Sequence, residues 1–248
     1  MTALFYEDCP ESRGIEPSDL AKIGRAPYDK EKPMNHTKTY THVVWDFNGT
    51  VLDDVQLGID CVNEMLEKRG LAVIPDVDAY RHVFGFPIDE YYRRLGFDFD
   101  KEDYDTVLAP EWVRLYLAGE GACPMNAGVA ETLKAVRGMG LSQIILSASK
   151  VSQLEGQLAR LGIRENFDEV LGLDNIHARS KAHLAIAWQE AHPEAVPLFL
   201  GDTVHDADVA GAIGADCVLF AGGHQPRETL EATGLPVIRE IRELLAFL

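Results

Sequence analysis

The sequence predicts an α/β fold, a doubly wound parallel sheet with a block of helices inserted after its first strand. Three observations lead there. An apolar, Val-rich run at residues 42–47 reads as a short buried strand. Residues 55–122 then carry helical periodicity and no strand signal. After Pro124, helix and strand patterns alternate to the end of the chain, which calls for a parallel sheet covered on both faces.

Gly49-Thr50 ends the first strand. Val55, Ile59, Val62 and Leu66 recur at three- and four-residue spacing through residues 55–70, and Arg69-Gly70 stops that helix. Further helices are expected at 76–84, 89–95 and 102–117, joined by Gly85-Phe86-Pro87 and Gly96-Phe97-Asp98. Beyond them, strands fall at 142–146, 169–171, 198–200 and 216–220. The intervening helices fall at 128–139, 151–161, 180–191, 206–213, 228–233 and 239–247. The chain thus divides into an irregular, proline-bearing N-terminal extension (1–40), an α/β core (41–54 and 123–248) and the helical block (55–122).

A formal net charge of -17 disfavours nucleic acid and anionic membrane as partners. The four cysteines form no C-x-x-C pair, which argues against a zinc cluster or disulfide framework and for a reducing compartment. The first ten residues lack the basic and apolar regions of a signal peptide. No apolar run approaches the ~20 residues that span a bilayer. A cytoplasmic protein, monomer or homodimer, with a small-molecule partner is expected.

Ligands of open parallel sheets bind at the carboxyl ends of the strands. The residues at those ends are Asp46, Ser147 and Gly201-Asp202, with Asp206 close behind and Lys181 opening the helix before the strand at 198. Clustered carboxylates require a cation, and oxygen ligands suit Mg²⁺. A carboxylate beside Mg²⁺ and a lysine can attack phosphorus. A hydroxyl with backbone N–H groups can hold the equatorial phosphoryl oxygens. Plainer readings stand beside these. Ser147 can cap the helix at 151, Lys181 can be a solvated helix-start residue, and Asp206 can be an N-cap that also binds metal. His205 reads as a loop residue, and His224 as structural or solvent-facing. Cys123 and Cys217 read as core fillers. Arg81, Arg93 and Arg94 either meet substrate anions or sit on solvated helix faces.

Four runs, in order, resemble the motifs of the haloacid dehalogenase superfamily. They are Asp46-Phe47-Asn48-Gly49-Thr50-Val51, Ile144-Ile145-Leu146-Ser147, Lys181 within Arg179-Ser180-Lys181, and Gly201-Asp202-Thr203-Val204-His205-Asp206. The helical block resembles the C1-type cap of that superfamily, and Phe84-Gly85-Phe86-Pro87 resembles the cap loop of phosphoglycolate-phosphatase-like members. The resemblance implies a Rossmann-like core and a Mg²⁺-dependent phosphatase acting on a small phosphorylated metabolite. By that resemblance Asp46 attacks phosphorus, forms an aspartyl-phosphate and ligates Mg²⁺ with Asp202, Asp206 and the backbone carbonyl of Asn48. Gly49, Thr50, Ser147 and Ala148 bind the phosphate, and Lys181 neutralises charge between it and the nucleophile.

One position departs from the family. Phosphatases of this type usually carry Asp two residues after the nucleophile, where it protonates the leaving oxygen and then activates water. Here the residue is Asn48, whose amide cannot exchange a proton. Such acid–base help is worth ~10²–10⁴-fold in rate. Three outcomes follow: a slow phosphatase preferring good leaving groups, a relay through His205 or Asp53, or a domain that binds a phosphate ligand without turning it over. Dehalogenases and phosphonate hydrolases of the same fold also lack that Asp. The Asp202/Asp206 pair speaks against the first, and the absence of lysine from residues 84–95 against the second. A receiver-type signalling domain would lack the helical block.

Overall fold

The computed structural model describes residues 38–177 and 180–248. The N-terminal extension expected over residues 1–40 falls almost wholly outside the described residues. Six strands, β1 (His42–Trp45), β2 (Ser142–Lys150), β3 (Glu169–Leu173), β4 (Pro197–Gly201), β5 (Asp216–Phe220) and β6 (Val237–Ile238), form one sheet. Their spatial order is β3-β2-β1-β4-β5-β6, and every pairing is parallel. β1 lies at the centre, with Trp45 opposite Ile145 on one side and Leu200 on the other.

Alternation along β1 assigns its residues to two cores. Val43 and Trp45 pack with Leu133 and Val136 of α5 (Val129–Gly138) and Leu154 and Leu158 of α6 (Val151–Arg160). Val44 faces the other way, towards Ala185 and Trp188 of α7 (Ala182–Ala191) and Val209 and Ala210 of α8 (Val204–Ala212). A last short helix, α9 (Arg227–Glu231), adds Leu230 to that second cluster.

Between β1 and α5 lie α1 (Val55–Lys68), α2 (Val77–Val83), α3 (Ile88–Arg94) and α4 (Ala109–Gly119). The apolar stripe read from the sequence buries Val55, Ile59, Val62 and Leu66 of α1 against Tyr80, Tyr91, Tyr92 and Leu108. Asp76 caps α2, accepting from the Ala79 N–H at 2.8 Å. Arg69 at the end of α1 is forked between Glu102 and Glu111, which ties the helices together at their far end.

The elements differ from expectation in three places. The helix expected from 102 opens with a π turn, Tyr104–Leu108, and becomes α-helical only at Ala109. Pro110 follows in the first α turn. β2 runs on to Lys150, with a shift of register against β3 after Leu146. At the C-terminus, β6 is too short to show alternation, and Ile241–Phe247 is a 3₁₀ helix rather than an α-helix. No helix among the described residues is long and apolar enough to cross a membrane.

Candidate active site

Asp46 stands at the end of the central strand, its N–H bonded to the Leu200 carbonyl at 2.8 Å. β4 delivers Asp202 beside it, and the first turn of α8 delivers Asp206. Lys181, the residue before α7, is only 2% exposed. Its ammonium donates to Asp46, to Asp206 Oδ1 at 2.7 Å and to the Leu146 carbonyl at 3.0 Å, which uses all three donors. Thr203, not Asp206, is the N-cap of α8. Asp206 is its third helical residue, and its Oδ2 accepts from Thr203 Oγ1 at 2.6 Å and Thr203 N at 3.0 Å. Asp202 takes the Thr50 hydroxyl at 3.0 Å and the His224 N–H at 2.6 Å. Carboxylate oxygens of Asp46, Asp202 and Asp206 lie within 4.8 Å of one another.

Burial lifts the Asp46 carboxyl well above the usual carboxylate range; Lys181 opposes this, while Asp206 and Asp202 add to it. Burial likewise moves Asp202 up to about 6. Asp206 goes the other way, because Lys181 and Thr203 outweigh its burial and hold it low. Burial alone lowers Lys181, but Asp206 and Asp46 reverse that and raise it. Three buried carboxylates face one lysine. That excess of hard oxygen charge fits a divalent cation of the Mg²⁺ type.

The backbone beneath these groups has no slack. A Cβ at Gly201 would lie 2.3 Å from Asp206 Cγ, and one at Gly49, where φ is +75°, would lie 2.4 Å from Asp202 Oδ2. Gly201→Ala is therefore expected to displace Asp206 and to cost about 1–3 kcal/mol by overpacking. Thermal unfolding checks this, and an unchanged Tm would contradict it.

Asn48 is locked behind the nucleophile. Its Nδ2 donates to Asp54 Oδ2 at 2.7 Å and to Tyr116 Oη at 2.9 Å. Its Oδ1 accepts from Ser149 Oγ at 2.8 Å. Asp54 also receives the Gly49 N–H at 2.8 Å and the Tyr116 hydroxyl at 2.6 Å, and it pairs with His224 Nε2 at 3.4 Å. Tyr80 Oη meets the other ring nitrogen of His224 at 2.9 Å. Burial pushes His224 down, but the hydrogen bond and charge of Asp54 carry it up to about 9. Asp54 is held low in return, as His224, Tyr116 and Asn48 overcome its burial.

This pair gives a signed expectation for the protein in EDTA. A histidine raised from 6.5 to about 9 contributes stability in full below pH 6.5, and that stability is lost as pH rises through about 9. The loss should reach about 3 kcal/mol and be absent in His224→Gln. A Tm with the same alkaline slope in both proteins would contradict it.

The site brings Asp46, Asn48, Ser147, Ala148, Lys181, Asp202 and Asp206 to the wall of one cavity of about 160 Å³. Gly49 and Thr50 stand just beneath it. Their N–H and hydroxyl are given to Asp54 and Asp202, and neither residue lines the cavity. Ser147 does not cap α6; its oxygen accepts from the Ser149 N–H at 3.0 Å. His205 lies in α8, not in a loop, stacked on Phe86 at 4.4 Å, and burial lowers it to about 4. Asp53 is exposed and away from the cavity. His224 is buried, not solvent-facing. Arg81 is spent on the Gly222 and Gly223 carbonyls, Arg94 on Val83, and Arg93 lies over the Phe99 ring at 4.1 Å. Cys123 and Cys217 are buried, as expected of core fillers.

Sequence reasoning missed Asp54, Tyr80 and Tyr116. Asp54 occupies the N-cap position of α1 yet makes no capping bond, so its place in the sequence suggests a different task from the one it has.

The chain and its fold have relatives among known proteins. The profile of the haloacid dehalogenase-like hydrolase family matches residues 43–220. The chain is 26% identical over 212 residues to a phosphoglycolate phosphatase of Pseudomonas putida, covering 82% of this chain and 78% of that protein. It is 24% identical over 214 residues to the tyrosine-protein kinase PtkA of Mycobacterium tuberculosis, covering 82% and 72%. Among solved structures, a haloacid dehalogenase-like hydrolase from Streptococcus pneumoniae superimposes with a TM-score of 0.71 at 17% identity, over 84% of this chain and 98% of that one. From the match over most of its length and the shared parallel-sheet architecture, the chain is an enzyme of the haloacid dehalogenase-like hydrolase family.

Proposed function

We propose that the protein is a Mg²⁺-dependent phosphoric monoester hydrolase that works through an aspartyl-phosphate on Asp46. The observation that supports this most is the meeting of Asp46 with Lys181, Asp202 and Asp206 at the end of the central strand. An oxygen of Asp46 attacks phosphorus, the ester P–O bond breaks with its electron pair going to the leaving oxygen, and that oxygen takes a proton from water and departs as the alcohol. Water then cleaves the acyl phosphate, returning Asp46 and inorganic phosphate. Lys181 opposes the burial that disfavours the Asp46 carboxylate and holds that carboxylate in line. Ser147 and the backbone at Ala148 hold phosphoryl oxygens. Asp46, Asp202, Asp206 and the Asn48 carbonyl are the residues that would hold Mg²⁺, which supplies charge neutralisation for the transferring phosphoryl group. Residues 55–122 act as a C1-type cap that closes over a small phosphorylated metabolite in the cytoplasm.

Hydrolysis of phosphate monoesters by the purified protein tests the reading. Turnover should require Mg²⁺, stop in EDTA and fall to background in Asp46→Asn. Turnover persisting in either case would overturn it. A second reading, a protein that binds a phosphate ligand without turnover, is favoured by the locked amide of Asn48. Mg²⁺-dependent phosphate binding with no hydrolysis of any ester would decide for it.

A further inference from the structure

We propose that the leaving group of the substrate is a phenol, so that the site takes small aryl phosphates in preference to alkyl phosphates such as phosphoglycolate. The inference deepens the hydrolase reading and rests on it.

The first observation is the wall of the cavity. On the side of the helical layer it presents Phe84, Phe86, Ile88, Trp112, Val113 and Tyr116. The charged group that α1 to α4 and their connections add to the lining is Glu120, an acid. Arg81, Arg93 and Arg94 are committed elsewhere. A carboxylate on the leaving group, as in phosphoglycolate, would meet apolar rings and a like charge there. Both lysines of the lining come from the core. Lys181 is saturated, and Lys150 ends β2 two residues beyond Ser147-Ala148, the pair assigned to the phosphate. Ring faces and edges such as those of Phe86 and Trp112 favour an aromatic guest beyond its simple burial.

The second observation is independent of the first and concerns the proton. A departing alkoxide, the conjugate base of an alcohol about as weakly acidic as water, needs a donor. Asn48 cannot supply one. Asp54, behind it, has both oxygens covered by Gly49, Asn48, Tyr116 and His224, and His224, which also lines the cavity, has its two ring nitrogens engaged by Asp54 and Tyr80. A phenolate, with a conjugate acid near 10, leaves without help. In the step, an Asp46 oxygen forms its bond to phosphorus, the aryl O–P bond breaks, and the electron pair goes to the phenolate oxygen, which takes a proton from water.

Three esters separate the two causes in wild-type protein with Mg²⁺. Phenyl and benzyl phosphate share the ring but differ in leaving oxygen; benzyl phosphate and phosphoglycolate share an alkoxide but differ in ring and charge. We expect kcat/KM for phenyl phosphate to exceed that for benzyl phosphate at least 100-fold. Benzyl phosphate should in turn exceed phosphoglycolate at least 10-fold. Phosphoglycolate turned over as fast as phenyl phosphate would overturn the inference and leave the hydrolase reading intact. If no ester is hydrolysed, that reading fails. Calorimetric binding then decides the ring preference by itself: phenylphosphonate should bind at least 10-fold more tightly than phosphonoacetate, and equal or reversed affinity would overturn it.

Discussion

Asn48→Asp should raise kcat on an alkyl phosphate by about 10²-fold or more, the usual worth of a positioned proton donor. The replacement removes a donor from Asp54, which Asn48 meets at 2.7 Å. Two carboxyls in that position cannot both ionise, so one keeps a proton near neutral pH. That shared proton is what the leaving oxygen lacks in the wild type. The same substitution should cost about 1–3 kcal/mol of stability, the price of a broken buried hydrogen bond. Adding Asp54→Asn restores a donor at the junction and should recover part of that loss. Steady-state rates on phenyl and benzyl phosphate with Tm for each variant check the scheme. The ratio between the two esters should shrink in Asn48→Asp; a ratio that stays constant would remove Asn48 as the cause of any leaving-group preference.

Lys181→Met should be the most destabilising single change at the site when the protein is in EDTA. Lys181 is 2% exposed and bridges Asp46 and Asp206. Removing one partner of a buried ion pair costs about 3–5 kcal/mol, which is about 6–20 °C in Tm for a domain of this size. Saturating Mg²⁺ should return part of that, since a ligand at 100 times its Kd adds about 2.7 kcal/mol. The Mg²⁺-induced rise in Tm should therefore be larger in the variant than in the wild type. Equal Tm values for both proteins in EDTA would contradict the account.

The strand-end residues were legible because their meaning is local. Asp46, Ser147, Asp202 and Lys181 each follow or precede a short apolar run, and a parallel sheet gathers such positions at one edge. The network around Asn48 was not legible. Tyr116 reaches Asp54 across 62 positions, and Tyr80 reaches His224 across 144, so no short motif records either contact. His224 follows Gly222-Gly223 just beyond β5. Its burial follows from contacts that only the assembled helices supply. β6 and the 3₁₀ ending escaped for a different reason: elements of two residues, or of 3₁₀ geometry, carry too little periodicity to read.

Phe84, Ile88 and Trp112 pack against a hydrophobic cluster that shares no residue with the clusters on either face of the sheet. That separation has an evolutionary consequence. A substitution among wall residues that touch only this layer is absorbed within it, while the carboxylates and Lys181 keep their places in the core; Phe86 on His205 and Tyr116 on Asp54 are where wall and core meet. Substrate choice and phosphoryl chemistry can then drift at different speeds. A lineage can repeatedly respecialise the wall while inheriting the reaction unaltered.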